Sequence, residues 1–155
     1  MNERQKPPVA ALAVPERTGT GYPEPFASRV RGRSRRRLGE WFGLRAFGVN
    51  LTCLAPGAGT ALKHSHARQD EFVYVLEGCP VLEMGGTSFP LAPGDCVGFP
   101  AGAGEAHHLV NRSGADVWLL EVGSREADDV VVYPEDDLEA HPLPGGGWRF
   151  APKGG

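Results

Sequence analysis

A chain of 155 residues, 41% of them apolar, can fill one well-packed core and needs neither disulfide staples nor a second domain. Its formal net charge of −3, from 16 basic and 19 acidic residues, argues against a general binder of polyanions such as nucleic acid. No apolar run approaches the roughly 18 residues of a membrane span, and the opening MNERQKPP lacks the apolar centre of a signal peptide, so no membrane association and a cytoplasmic location are expected.

In chain order, residues 1–40 read as a Pro- and Arg-rich arm and edge. Prolines at 7, 8, 15, 23 and 25 predict an extended N-terminal arm, free or laid over a neighbouring subunit. The stretch SRVRGRSRRRLG follows, with arginine at 29, 31, 33, 35, 36 and 37. Such a run can be a phosphate or nucleic-acid patch. It can equally be a solvated edge, or a partner for Glu126, Asp128, Asp129, Glu135, Asp136, Asp137 and Glu139, and these acids in the same chain favour that second reading.

Residues 41–124 form the predicted core. Apolar and small residues alternate over 41–54 and predict the first core strands, with Pro56 and Gly57 turning the chain. Residues 72–76 read as a buried strand. Gly85-Gly86 between two strand-like runs is a two-residue hairpin of the primed type, since glycine accepts positive φ at both positions. Strands are predicted again over 96–99, 107–111 and 117–122, separated by the turn at Pro93-Gly94-Asp95, a glycine-rich loop over 101–105 and a turn over 112–116. Short strands so spaced, with no amphipathic helix between them, predict an all-β sandwich or small barrel. Residues 125–155 are acidic, then rich in proline and glycine, and predict an irregular C-terminal tail that packs through Trp148 and Phe150. Cys53, Cys79 and Cys96 are odd in number and lack metal or redox spacing, which predicts free thiols.

The chemistry concentrates in PGAGTALKHSHARQDEFVYVLEG, residues 56–78. In a strand the side chains of i and i+2 share a face, so His64 and His66 reach one point. Glu71, after a short polar break, opens the next strand and is folded back towards both imidazoles. His107 supplies a fourth candidate from far along the chain. Three imidazoles and a carboxylate suit one divalent transition metal, Mn, Fe, Co, Ni, Cu or Zn, rather than Ca or Mg. His108 must face away if His107 faces inward, and Val73, Val75, Leu109 and Asn111 share the ligand faces. His141 reads as a surface residue. Outside the ligand set, Glu121, within VWLLEVG, is the one carboxylate that the pattern places in an apolar strand, a candidate general acid or base or else the partner of an arginine or a solvent-facing strand residue.

On these residues the sequence resembles the cupin superfamily. The first cupin motif, HxH followed by Glu and then Gly, is matched by His64, His66, Glu71 and Gly78; the second by Gly94, Pro100, His107 and Asn111. Ala58 stands where the motif has its opening glycine, and six residues rather than four separate Pro100 from His107. The resemblance spans roughly residues 44–123. It implies a double-stranded β-helix, or jelly-roll, cupin barrel with the metal inside one end. The wording is similar to that of small bacterial single-domain cupins of mostly unassigned activity, some described as sugar-phosphate isomerases.

Three functions follow in order of preference. The first is a metal-dependent isomerase, epimerase or lyase acting on a carbonyl-bearing small molecule, sugars and sugar phosphates included. A sugar phosphate would need a cationic anchor inside the barrel; Lys63 has the wrong parity, which leaves the arginine run or Arg45. The alternatives are an Fe(II)-dependent dioxygenase and a non-catalytic small-molecule binder or sensor. A homodimer is expected from edge-strand pairing and the two terminal arms.

Overall fold

The computed structural model describes residues 5–154, so the first four residues of the predicted arm and the last of the tail lie outside the described residues. In chain order come β1 (Glu16–Thr18), β2 (Arg33–Arg37), one helical turn α1 (Leu38–Trp41), β3 (Phe47–Leu54), β4 (Ser65–His66), β5 (Glu71–Glu77), β6 (Val81–Met84), β7 (Thr87–Pro90) and β8 (Cys96–Phe99). After these follow β9 (His107–Val110), β10 (Val117–Ser124), β11 (Val131–Tyr133), β12 (Leu138–Pro142) and β13 (Trp148–Ala151). The expected all-β jelly roll is what forms. A six-stranded sheet in the order β1-β2-β3-β10-β5-β8 faces two smaller sheets, β7-β6-β9 and β13-β12-β11-β4, and the three stay separate rather than joining into one closed barrel.

Alternation decides what each strand buries. On β5, Val73 and Val75 point inward and are buried, while Phe72, Tyr74 and Leu76 point outward and stay exposed. Residues 72–76 are therefore a one-sided strand, not one buried on both faces. The inward residues join Leu54, Val117, Leu119, Leu82, Leu109 and Phe99 in the main core. Each such side chain contributes about 1.5–3 kcal/mol by leaving water.

Turns close this core where glycine is required. Gly85 and Gly86 have φ of 57° and 80°, the primed hairpin expected between β6 and β7. Gly78 has φ of 83°, and a Cβ there would lie 2.7 Å from the Asp116 carbonyl oxygen, so the end of β5 can pass β10 only as glycine. Asn111, fully buried, donates to the carbonyls of Leu54 and Ala115 and accepts from the N–H and hydroxyl of Ser113. Its side chain clamps the turn into β10.

The ends of the chain differ from expectation. Residues 41–46 do not begin a core strand; Trp41 ends α1, and β3 starts at Phe47. Residues 125–154 are no irregular tail, since three strands form there and β11 pairs Val131 with His66 and Val132 with Ser65. A second apolar cluster explains this order. Val131, Tyr133, Leu138 and Ala140 bury against Val30 and Leu62, and Tyr22, Phe26 and Phe150 pack on them. Both ends of the chain thus wrap one corner of the jelly roll, with Tyr22 against Tyr133 at 5.6 Å and against Phe150 at 5.2 Å between ring centroids. The three cysteines are free.

Candidate metal centre

Three strand segments bring the predicted ligands together, His64 and His66 at β4, Glu71 on β5 and His107 on β9. His64 and His107 exchange both backbone hydrogen bonds, at 3.2 and 2.9 Å, an antiparallel bridge that sets the two imidazoles side by side. His66 follows on β4, two residues along and on the same face. Glu71 is the first residue of β5, paired with Phe99 of β8.

The three Nε2 atoms converge on the Glu71 carboxylate. His64 Nε2 lies 3.4 Å and His66 Nε2 3.1 Å from Oε1, and His107 Nε2 lies 2.6 Å from Oε2. The candidate ligand atoms of His64, His66 and Glu71 all fall within 4.8 Å of one another. His107 meets that group through Glu71.

The opposite nitrogens show how the rings are held. His64 Nδ1 lies 2.7 Å from the Leu62 carbonyl, and a carbonyl accepts only from N–H, so Nδ1 carries a proton, and in the neutral ring Nε2 is the nitrogen left with a lone pair. His66 Nδ1 lies 2.6 Å from Asp129 Oδ2, which imposes the same tautomer. Asp129 is itself buried, and its other oxygen accepts the N–H groups of Arg68 and Gln69 at 2.8 and 3.3 Å. His107 is oriented by packing instead: the Phe99 ring stacks on it at 3.4 Å with an interplanar angle of 1°, and its buried Nδ1 has no partner.

Ring nitrogens this close to carboxylate oxygens need a proton or a cation between them. Burial alone would raise the pKa of Glu71, but hydrogen bonds from His107, His64 and His66 outweigh it and hold the carboxyl far below its usual range. Burial likewise opposes protonation of His66, and the bonds and charges of Glu71 and Asp129 overcome it and raise its pKa. A divalent transition metal would meet the same demand, and the ligand atoms of His64, His66 and Glu71 lie close enough together to hold one.

The remaining candidates divide. His108 faces away, with Nδ1 2.9 Å from the Ala61 carbonyl and Nε2 3.2 Å from Glu83, as parity requires. Lys63 points outward to Glu135 at 3.5 Å. His141 lies by Glu139 on β12, away from the cluster. Glu121 points inward on β10, its Oε2 3.1 Å from Arg35 Nη2 and its Oε1 buried without a partner. Cys53 and Trp118 lie on the other face of the sheet, opposite each other in register. The arginine run is neither a single patch nor mainly a partner of the acidic segment. Arg29 alone in it pairs with that segment, at Asp136, while Arg35 pairs with Glu121, Arg36 with Glu16 and Arg37 with Glu40.

Asp129, Leu62 and Phe99 hold the ligands, and sequence spacing did not single them out for this. A cavity of about 220 Å³ opens beside the ligands, lined by His66, Glu71, His107, Met84, Phe99 and Glu105 among others. Glu105 belongs to the lengthened loop between Pro100 and His107.

Residues 50–123 match the family model described as Cupin domain. No curated protein matches the chain. Among solved structures, a sugar phosphate isomerase of the cupin superfamily from Silicibacter pomeroyi is 40% identical with a TM-score of 0.91, covering 96% of this chain and 94% of its own. A candidate sugar phosphate isomerase from Acidithiobacillus ferrooxidans is 35% identical with a TM-score of 0.70, over 77% and 76%. The polyketide cyclase RemF from Streptomyces resistomycificus is 23% identical with a TM-score of 0.65, over 78% and 80%, and is alike in fold.

Proposed function

This chain belongs to the cupin superfamily, and from that premise we propose that it is a metal-dependent enzyme of isomerase, epimerase or lyase type acting on a small carbonyl-bearing molecule, a sugar or sugar phosphate first among them. The observation that carries the reading is the convergence of three histidine Nε2 atoms on one carboxylate, with two of the rings held through Nδ1 so that Nε2 turns towards the site. The descriptions of the two more similar structures support the substrate class.

In this reading His64, His66, Glu71 and His107 hold one divalent metal. When bound, the metal polarises a substrate carbonyl, so that a proton on the neighbouring carbon becomes removable. The protein's own residues do the rest. Asp129 and the Leu62 carbonyl keep the His66 and His64 rings turned with Nε2 inward. Phe99 covers the face of His107 and limits water there. Glu121 is the proposed proton carrier: Arg35 fixes one oxygen, and the other is buried with no hydrogen bond among the described residues, which leaves it for a substrate hydroxyl or proton.

The proposal also includes a cytoplasmic setting and a homodimer. Phe72, Tyr74 and Leu76 form an outward row on β5, each at least 38% exposed, and a second copy of the same row is the occupant that would remove it from water in an isologous contact.

Metal analysis of protein purified without chelator, followed by turnover assays on aldose and ketose sugars and their phosphates with oxygen uptake recorded in parallel, tests the reading. About one equivalent of divalent transition metal and an isomerised or epimerised product that disappears on chelation are expected. Protein that takes up no transition metal sinks the proposal, and iron-dependent oxygen consumption replaces it with a dioxygenase.

A further inference from the structure

Strand β2 places its arginines by alternation. Arg33 and Arg35 pair in register with Leu54 and Thr52, both buried, and share their inward face, whereas Arg36 turns outward to Glu16 and lies over the Trp118 ring at 6.0 Å. Inside, both guanidiniums donate to a single acceptor, the carbonyl oxygen of Thr60. One carboxylate serves the pair. Arg35 has Glu121 at 3.1 Å, but among the described residues Arg33 has no carboxylate within ion-pair distance, and its other bond is to the Gly19 carbonyl at 3.5 Å.

Two cations against one anion leave an uncompensated positive charge in a half-buried place, which is costly without a counter-ion. Burial, together with the like charge of Arg35, pushes the Arg33 guanidinium down to about 10, so it stays charged at neutral pH. The nearby Tyr22 hydroxyl supplies no negative charge, since burial raises its pKa. Hydrogen-bonding capacity is left over as well. Arg35 Nε, Thr52 Oγ1 and Glu121 Oε1 are buried and unpartnered on β2, β3 and β10, which are neighbours in one sheet. Thr52 is fully buried.

The cluster adjoins the candidate metal centre. Tyr133 packs 5.9 Å from the His64 ring and 5.6 Å from Tyr22, and the charges of both Glu71 and Arg33 act on its hydroxyl. Arg35 keeps 28% of its side chain accessible.

We propose that Arg33 and Arg35 anchor an oxyanion group of the substrate, a phosphate monoester or a carboxylate, whose reacting end lies towards His64, His66 and Glu71, with Thr52 and Glu121 bonding its hydroxyls. The assignment rests on the small-molecule reading of the metal centre and narrows it to anionic substrates. A forked guanidinium suits either oxyanion, and two on adjacent inward positions favour the doubly charged one.

Calorimetric titration of the full chain with inorganic phosphate, with acetate and with glucose tests it. Wild type is expected to bind phosphate in preference to acetate, and glucose weakly if at all. Arg33→Met, which removes the cation lacking a carboxylate, should weaken phosphate at least tenfold with metal content unchanged; if it does not fold, the charge-balanced pair Arg35→Gln with Glu121→Gln takes its place. Acetate bound more tightly than phosphate assigns the anchor to carboxylates. His66→Ala, lacking metal, should keep phosphate affinity, which separates this site from direct binding to the metal. Wild type without affinity for either anion, or folded variants binding phosphate within twofold of wild type, overturns the proposal. A wild type that holds no metal but loses phosphate binding on Arg33→Met would leave the anchor standing and end the metal reading.

Discussion

Asp129→Asn isolates what the C-terminal segment does for the metal centre. The native carboxylate accepts on both oxygens, Oδ1 from two backbone N–H groups and Oδ2 from His66 Nδ1. Asparagine has one acceptor oxygen. Keeping it on the Arg68 and Gln69 N–H groups turns the amide NH2 towards His66, and Nδ1 must then accept, which moves the ring proton to Nε2, the nitrogen aimed at Glu71. Loss of such an outer partner costs 10–100-fold in metal affinity, or about 1.4–2.7 kcal/mol. The metal-free fold also loses a hydrogen bond to a charged group, worth roughly 1.5–3 kcal/mol, because Asp129 is buried. Competition against a chromophoric chelator gives the first quantity, and urea unfolding in excess chelator gives the second. If a folded Asp129→Asn protein binds metal within threefold of wild type, His66 is not oriented for metal by this carboxylate.

Glu121→Gln is expected to lower kcat by roughly 100- to 10,000-fold at unchanged metal content, measured by steady-state kinetics and elemental analysis; a fall of less than threefold assigns the residue to its ion pair with Arg35 alone. Gly78→Ala should destabilise by about 1–3 kcal/mol through the positive φ, and further through the 2.7 Å approach to Asp116, which a denaturant midpoint reads directly. Removing metal by dialysis against chelator should lower the melting temperature, by an amount equivalent to about 2.7 kcal/mol when free metal had stood at 100 times Kd; an unchanged melt contradicts a folded-state site. Phe72→Glu should shift sedimentation from dimer towards monomer, and a wild type that sediments as a monomer refutes the proposed pairing.

What could be read beforehand was what depends on neighbours in sequence. The i, i+2 placement of His64 and His66, the outward turn of His108 and the primed hairpin at Gly85-Gly86 all follow from strand parity or from φ at one residue. What escaped depends on contacts between distant segments. Asp129 looked like one acid among seven in a charged stretch, and only the pairing of Val131 with His66 brings it under the imidazole. The same pairing explains why a segment rich in proline and glycine is ordered: β11 and β12 are short, but Tyr133, Leu138 and Ala140 bury against Val30 and Leu62, and burial outweighs weak strand propensity. The arginines show the converse. A run of like charge suggests a solvated face, yet β2 lies within a sheet whose inner side is core, so every second arginine is carried inward. Composition reports the number of charges in such a run, and strand register decides which of them share the interior with the metal centre.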